Sequence, residues 1–266
     1  MYCKILWSWW AIQTPRPFCN DSYSQKAREN SKLQRDASCF WIEDIKTLID
    51  CPESVWHSAN KAGIPDIQNL LITHWHPDHT FWLRVVLESK YDFVHNKAWT
   101  PVNIYLPEVV YEDIKNVYPS IDFFANTLWC WKINFINDWD ELNFWNIEIT
   151  PVWYKTTDSH RFSYLIKENN KKLLYLPCDT IWFTRDIPKI DILIHECWIF
   201  SPEVKDELLF NDLIERIKKV MPWKTILTHI EEIELERYWD SILDELEEKF
   251  KEYNIHFAYD WMEIEL

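Results

Sequence analysis

Residues 70 to 82 read LLITHWHPDHTFW, an apolar run followed by His74, His76, Asp78 and His79 within six positions. Residues two apart on extended chain point the same way, so His74 and His76 can grip one ion while Trp75 faces elsewhere. Pro77 keeps His76 extended and lets a helix begin near Asp78, which aims Asp78 and His79 at a neighbouring point. Four such groups offer nitrogen and oxygen donors to two adjacent metal ions rather than one. A lone histidine is more often a core or surface residue. Here the aspartate, the preceding apolar strand and the ordered spacing favour a metal site.

Other apolar runs end in polar residues in the same manner: KTLID in Asp50, KLLYLPCD in Asp179, DILIHE in His195 and Glu196, TILTH in His229. Ends of neighbouring strands can converge on one edge of a sheet. A carboxylate such as Asp179 can bridge two cations about 3.5 to 4 Å apart, and His229 can complete the second. Each of these, taken alone, is only a polar residue leaving a strand.

The wider chain reads as one domain spanning residues 1–266. Its 266 residues and 47% hydrophobic content support a sizeable core. No basic-apolar leader opens it, and no run approaches the roughly 18 apolar residues of a membrane helix, so a cytoplasmic protein without membrane contact is expected. Seven scattered cysteines, with no Cys-x-x-Cys pair, fit a reducing compartment. A formal charge of −15 argues against general nucleic-acid binding. Strands are read at CKIL, KTLID, NLLIT, VNIYL, IEITPV, RFSYLI, KLLYL, DILIH, TILTH and IHFAY. A helix is read from Pro52 to Ala62, capped by Gly63. Apolar positions recur at helical spacing over Val204–Val220 and again over Tyr238–Tyr253. The acidic stretch from Glu231 to Glu252 is read as a solvated helix face. Mixed strands and helices without strict alternation suggest an α/β protein with two sheets between helices.

One feature of the composition is abnormal. The chain carries 18 tryptophans and a single glycine, Gly63. About 7% glycine is usual, roughly the number that tryptophan and glycine supply together here. Trp7, Trp9, Trp10, Trp182, Trp198 and Trp223 stand where strands or helices should break into turns. Glycine in the living protein, with a reassigned UGA codon rendered as tryptophan, accounts for this pattern. A truly tryptophan-rich fold is the alternative.

Thr73-His74-Trp75-His76-Pro77-Asp78-His79 matches the T-H-x-H-x-D-H signature, and the chain resembles the metallo-β-lactamase fold. The resemblance runs from KILWSWW through LIDC, PCDT and LTH to AYDWMEIEL. Within that superfamily the chain is most similar to the phosphoribosyl cyclic phosphodiesterases and the tRNA 3′-processing nucleases. The resemblance implies a four-layer αβ/βα sandwich of two mixed sheets flanked by helices, holding two divalent ions, zinc or manganese. It implies His74 and His76 at the first metal, Asp78, His79 and His229 at the second, Asp179 as the bridge, and Asp50 supporting the cage from behind. His160 in TTDSHRFSYLI is the first metal's implied third histidine, though it lies closer to Tyr164 than the family spacing. Only Cys19 stands where relatives carry cysteines for an extra structural zinc, so that zinc is not expected.

The expected function is a dinuclear phosphodiesterase acting on a small, cyclic phosphodiester by attack of a hydroxide shared between the metals. Asp78 and His195 are the expected catalytic groups, His195 as acid for the leaving oxygen. Residues 14 to 35 carry five cations against two acids, and Arg16 and Arg35 are the candidates for holding substrate phosphate. Two other readings stand beside this one: a tRNA 3′-processing endonuclease, and a non-catalytic metal-binding module crowded by Trp75 and Trp82. A homodimer is compatible with all three.

Overall fold

The computed structural model describes residues 1–8, 12–197, 207–238 and 241–266. Trp9, Trp10, Trp198 and Val204, named above, lie outside them. Two seven-stranded sheets face each other. The first runs in the order Met262–Glu265, Tyr2–Trp7, Cys39–Ile42, Thr47–Ile49, Asn69–Leu71, Val102–Leu106, Trp131–Phe135. The second runs Ile255–Phe257, Lys224–Thr228, Ile192–Glu196, Lys171–Leu176, His160–Glu168, Ile147–Lys155, Leu142–Phe144. Each sheet has three antiparallel and three parallel pairings. This is the mixed α/β sandwich expected, and all ten strands read from the sequence are present.

Alternation along each strand builds the layers. Leu173 and Tyr175 enter the core between the sheets, whereas Leu174 and Leu176 face outward with Leu193 and Leu227. Helix Phe210–Val220 covers that outer face with Phe210, Leu213, Ile214 and Ile217 at helical spacing. Val55, Leu83, Val86, Val110 and Ile114, from three helices, join the core on the first sheet's side. Gly63 caps the region of Val55–Lys61 at φ +69°, as its place in the sequence suggests.

The strands missed by sequence reading are Cys39–Ile42, Trp131–Phe135, Leu142–Phe144, Met262–Glu265 and a small hairpin, Tyr91–Asp92 with Lys97–Ala98. In the longest, Trp131–Phe135, only Trp131 is buried, so its apolar signal is weak; Cys39–Ile42 is buried throughout and was missed despite its apolar sequence. The acidic stretch from Glu231 also needs correction. Glu231, Glu232 and Glu234 are buried rather than solvated, Arg16 meeting the first two and Ser24 the second, whereas helix Ser241–Lys249 keeps its acids at the surface as expected. Arg16 Nη2 lies 2.9 Å from Glu231 Oε1, so this arginine is engaged in an ion pair within the fold.

Asp260 ties three segments together. Its carboxylate accepts from Ser8 N at 3.2 Å, Ser8 Oγ at 2.9 Å and Asp36 N at 3.2 Å. Burial pushes its pKa up to about 7, with Asp36 adding to the shift and Arg35 opposing it. A carboxyl whose folded pKa lies above its unfolded value contributes stability at low pH and loses it as pH rises through the folded value. The difference in unfolding free energy between the wild type and Asp260→Asn should therefore fall between pH 4 and 8, by up to about 4 kcal/mol. Urea denaturation across that range measures it, and a flat difference would show that Asp260 does not titrate.

Candidate metal centre

The histidine loop leaves strand Asn69–Leu71 and enters the short helix Pro77–Thr80, with Pro77 in its first turn as expected. Behind it lies Asp50, fully buried and held at φ +65° just past strand Thr47–Ile49. Asp50 accepts from Thr73 N and Thr73 Oγ1, both at 2.8 Å, and from His79 Nδ1 at 2.7 Å. The last bond assigns the proton of His79 to Nδ1 and turns the Nε2 lone pair the other way.

His79 Nε2 is buried with no hydrogen-bond partner among the described residues. Asp78 Oδ2 lies 3.3 Å from it and 3.7 Å from His229 Nε2, and the three ligand atoms fall within 4.8 Å of one another. A buried imidazole nitrogen aimed at a carboxylate and a second imidazole suits a divalent cation. These residues fit the group expected at the second metal. Burial alone would lower the pKa of His79, but the Asp78 and Asp50 carboxylates outweigh it and hold the pKa well above the ordinary value. Burial would raise Asp78, yet His79 and His229 hold it well below the carboxylate range.

The site gathers strained backbone as well. Asp50, Asp179 and His229 have φ of 65°, 46° and 63°, a region that non-glycine residues seldom occupy. Each follows the end of a strand, and such strain collects where the surrounding structure needs a side chain aimed in one direction.

The first metal's residues are arranged differently from expectation. His74 and His76 do share a face, with ring centroids 4.7 Å apart. His160, however, opens strand His160–Glu168 on the same side as Phe162 and Tyr164, and its Nδ1 lies 3.3 Å from Asp113 Oδ2. It does not join His74 and His76. Arg161, next along and on the opposite face by alternation, reaches the site instead. Its side chain is fully buried, with Nη1 2.5 Å from His74 Nε2 and 3.1 Å from Cys178 Sγ. Nη2 pairs with Asp179 and lies 3.4 Å from His76 Nδ1. Cys178, Asp179, Tyr154 and Asp158 outweigh burial and hold the arginine charged. His76 Nε2 meets Asp158 Oδ2 at 2.8 Å.

His195 is buried, with Nδ1 2.6 Å from the Glu196 carbonyl and Nε2 3.0 Å from Arg216 Nη1. Burial, helped by Arg216, pulls its pKa down to about 3. Both nitrogens are thus engaged within the fold. Arg35 pairs through its backbone with Thr14 and lines a cavity of about 620 Å³ with Glu53, Trp82 and Asp260. Trp75 is half-buried, its ring edge-on to His76 at 4.7 Å.

Arg161 and Cys178 are the site residues that sequence reading does not name; Glu196 is read there as the polar end of DILIHE. Glu196 is buried beside His229, with Oε2 lacking a hydrogen-bond partner among the described residues. Burial pushes the Cys178 thiol up to about 12, against the pull of Arg161. The signal for Arg161 is its place opening the apolar run RFSYLI.

With this geometry in place, comparison with known proteins has a clear outcome. The family described as "Anti-Pycsar protein Apyc1" matches residues 31–238. The chain belongs to that family. A ribonuclease Z of Picrophilus torridus is 26% identical over 160 residues, 57% of this chain and 48% of that protein, so the match spans about half the relative's length. A diphosphatase of the PhnP family superposes with a TM-score of 0.74 at 18% identity, covering 100% of this chain and 97% of that one. Zinc-bound PqqB from Methylobacterium extorquens does so with a TM-score of 0.77 at 13% identity, covering 100% of both chains. The fold is that of the metallo-β-lactamase superfamily, as the Thr73–His79 signature led us to expect.

Replacing Asp50 by Asn should weaken zinc binding about 10- to 100-fold, because the imidazole of His79 loses the charge that orients it. Competition titration against a chelator measures this. An unchanged affinity would remove Asp50 from that role.

Proposed function

We propose that this chain is a metal-dependent phosphodiesterase that hydrolyses a small, cyclic phosphodiester. The observation that carries the reading is the buried, partnerless Nε2 of His79, 3.3 Å from Asp78 Oδ2 and beside His229, with Asp50 fixing the ring from behind. Asp78, His79 and His229 would hold a divalent cation, zinc or manganese. Bound there, the cation supplies Lewis acidity and makes hydroxide available near neutral pH. Asp50 keeps the imidazole of His79 in the liganding tautomer, and Asp78 is the carboxylate that faces both histidines. His195, with both nitrogens engaged, positions strand Ile192–Glu196 against Arg216 rather than serving as an acid.

The names of the relatives support phosphorus–oxygen bond cleavage: one is a ribonuclease and another a diphosphatase. A small substrate is favoured over precursor tRNA by the formal charge of −15, since polyanion capture draws on many cationic contacts. The test is hydrolysis of a small cyclic phosphodiester against cleavage of precursor tRNA, after chelation and after zinc or manganese is restored. Metal-dependent turnover of the cyclic compound, cut about 10³-fold in Asp78→Ala, is expected. Cleavage of precursor tRNA alone would replace the reading with the nuclease, and bound metal without any hydrolysis would replace it with the non-catalytic module.

We also infer that glycine is the native residue at most tryptophan positions. Trp129, Trp139, Trp145 and Trp261 have φ of 55°, 66°, 58° and 66°, where a Cβ costs on the order of 1–2 kcal/mol per residue. Trp145 is fully exposed, so its indole gains no burial to offset that cost. Mass spectrometry of the tryptic peptide Ala62–Arg84 from the native source reads Trp75 and Trp82 together. Glycine at both is the expected result, and tryptophan at both would end the recoding idea.

A further inference from the structure

The first metal's pocket holds a different cation. His74 has two ring nitrogens, and both are spent: Nδ1 lies 2.9 Å from Thr73 Oγ1, and Nε2 faces Arg161 Nη1 at 2.5 Å. A guanidinium has only donors to offer, so Nε2 must be the acceptor and Nδ1 carries the proton. The lone pair that would bind a metal is therefore occupied. His76 is spent in the same way, between Asp158 at 2.8 Å and Arg161 at 3.4 Å. Asp179, the expected bridge, is ion-paired to Arg161 Nη2.

Charge leads to the same conclusion. Arg161 has no exposed side-chain surface and keeps its charge through Asp179 and, at 3.7 Å, Asp158. A buried charge persists only where it is paired and hydrogen-bonded, and a second cation beside it would compete for the same carboxylates. His160 cannot repair the donor set, because strand alternation sends it to Asp113. Ligand atoms of His74, His79 and Cys178 do fall within 4.8 Å of one another, but Arg161 Nη1 already stands against His74 Nε2 and Cys178 Sγ, so the residues present do not fit a metal at His74 and His76.

We propose that this chain binds one divalent cation, at Asp78, His79 and His229, and that the Arg161 guanidinium stands permanently in place of the second. This rests on the metal-dependent reading above. Arg161 is a positioning residue that locks His74 and Asp179, and it brings a fixed positive charge to the pocket. Unlike an ion, it is covalently attached and indifferent to chelators, so only part of the pocket's positive charge is removable.

The test is metal stoichiometry on the full-length chain, stripped with chelator, titrated with zinc against a competing chelator and counted by mass spectrometry. One tight equivalent is expected. Two equivalents would overturn the proposal while leaving the metal-dependent reading intact, and none would overturn both. His74→Ala should keep the single equivalent with unchanged affinity, whereas Asp78→Ala should lose it. Loss of the metal in His74→Ala would overturn the proposal. Arg161→Ala frees His74, His76 and Asp179, and should raise the count from one to two, with Arg161→Lys remaining at one. A count of one in folded Arg161→Ala would refute the exclusion by the guanidinium. If that variant does not fold, the count in His74→Ala decides.

Discussion

The buried carboxylate of Asp50 is the constraint on which the centre depends. A buried carboxyl group with no solvent contact is tolerable only when its lone pairs are met, and three donors meet this one: Thr73 N, Thr73 Oγ1 and His79 Nδ1. Those bonds also shape the loop. They draw the start of the histidine segment back onto the end of strand Thr47–Ile49 and force the tautomer of His79. The left-handed backbone of Asp50 is the cost of aiming its carboxylate into the loop rather than along the strand.

The site lies on the seam between the two sheets, and hydrogen bonds cross that seam where the ligands stand. Tyr164 Oη donates to the Ile72 carbonyl at 2.7 Å, and Phe162 N donates to the Thr73 carbonyl at 3.0 Å. On the other side His229 N donates to the Ser8 carbonyl at 2.8 Å. Each bond joins one sheet to a loop or strand end of the other beside a candidate ligand. The cage is therefore as rigid as the packing between the sheets, which is close to solid.

One alternation decides the chemistry of half the pocket. His160 and Arg161 are neighbours at the start of a strand, and a pleated chain sends them to opposite faces. The histidine meets Asp113 and the arginine meets Asp179. A shift of one residue in register would exchange them, which is why the fold can hold the expected ligand types and still assemble a different site.

Much of this was legible in the chain itself. Ten apolar runs bounded by turn residues declared their strands, and the spacing of His74, His76, Asp78 and His79 declared a metal loop, since both are local features of the chain. The excess of tryptophan over glycine was equally visible, but the four tryptophans with the left-handed backbone that glycine prefers, Trp129, Trp139, Trp145 and Trp261, are not the Trp7, Trp182 and Trp223 read as turn positions. Met262–Glu265 was not legible, because its two inward residues, Met262 and Ile264, alternate with Glu263 and Glu265 and form no apolar run. Nor was the burial of Glu231 and Glu232, which depends on Arg16 arriving from more than 200 residues away in sequence. Whether His160 or Arg161 enters the pocket was likewise left to the tertiary structure. Sequence spacing records which residue types are near one another along the chain; only the packed sheets decide which face of a strand looks at the metal and which ion already occupies the space.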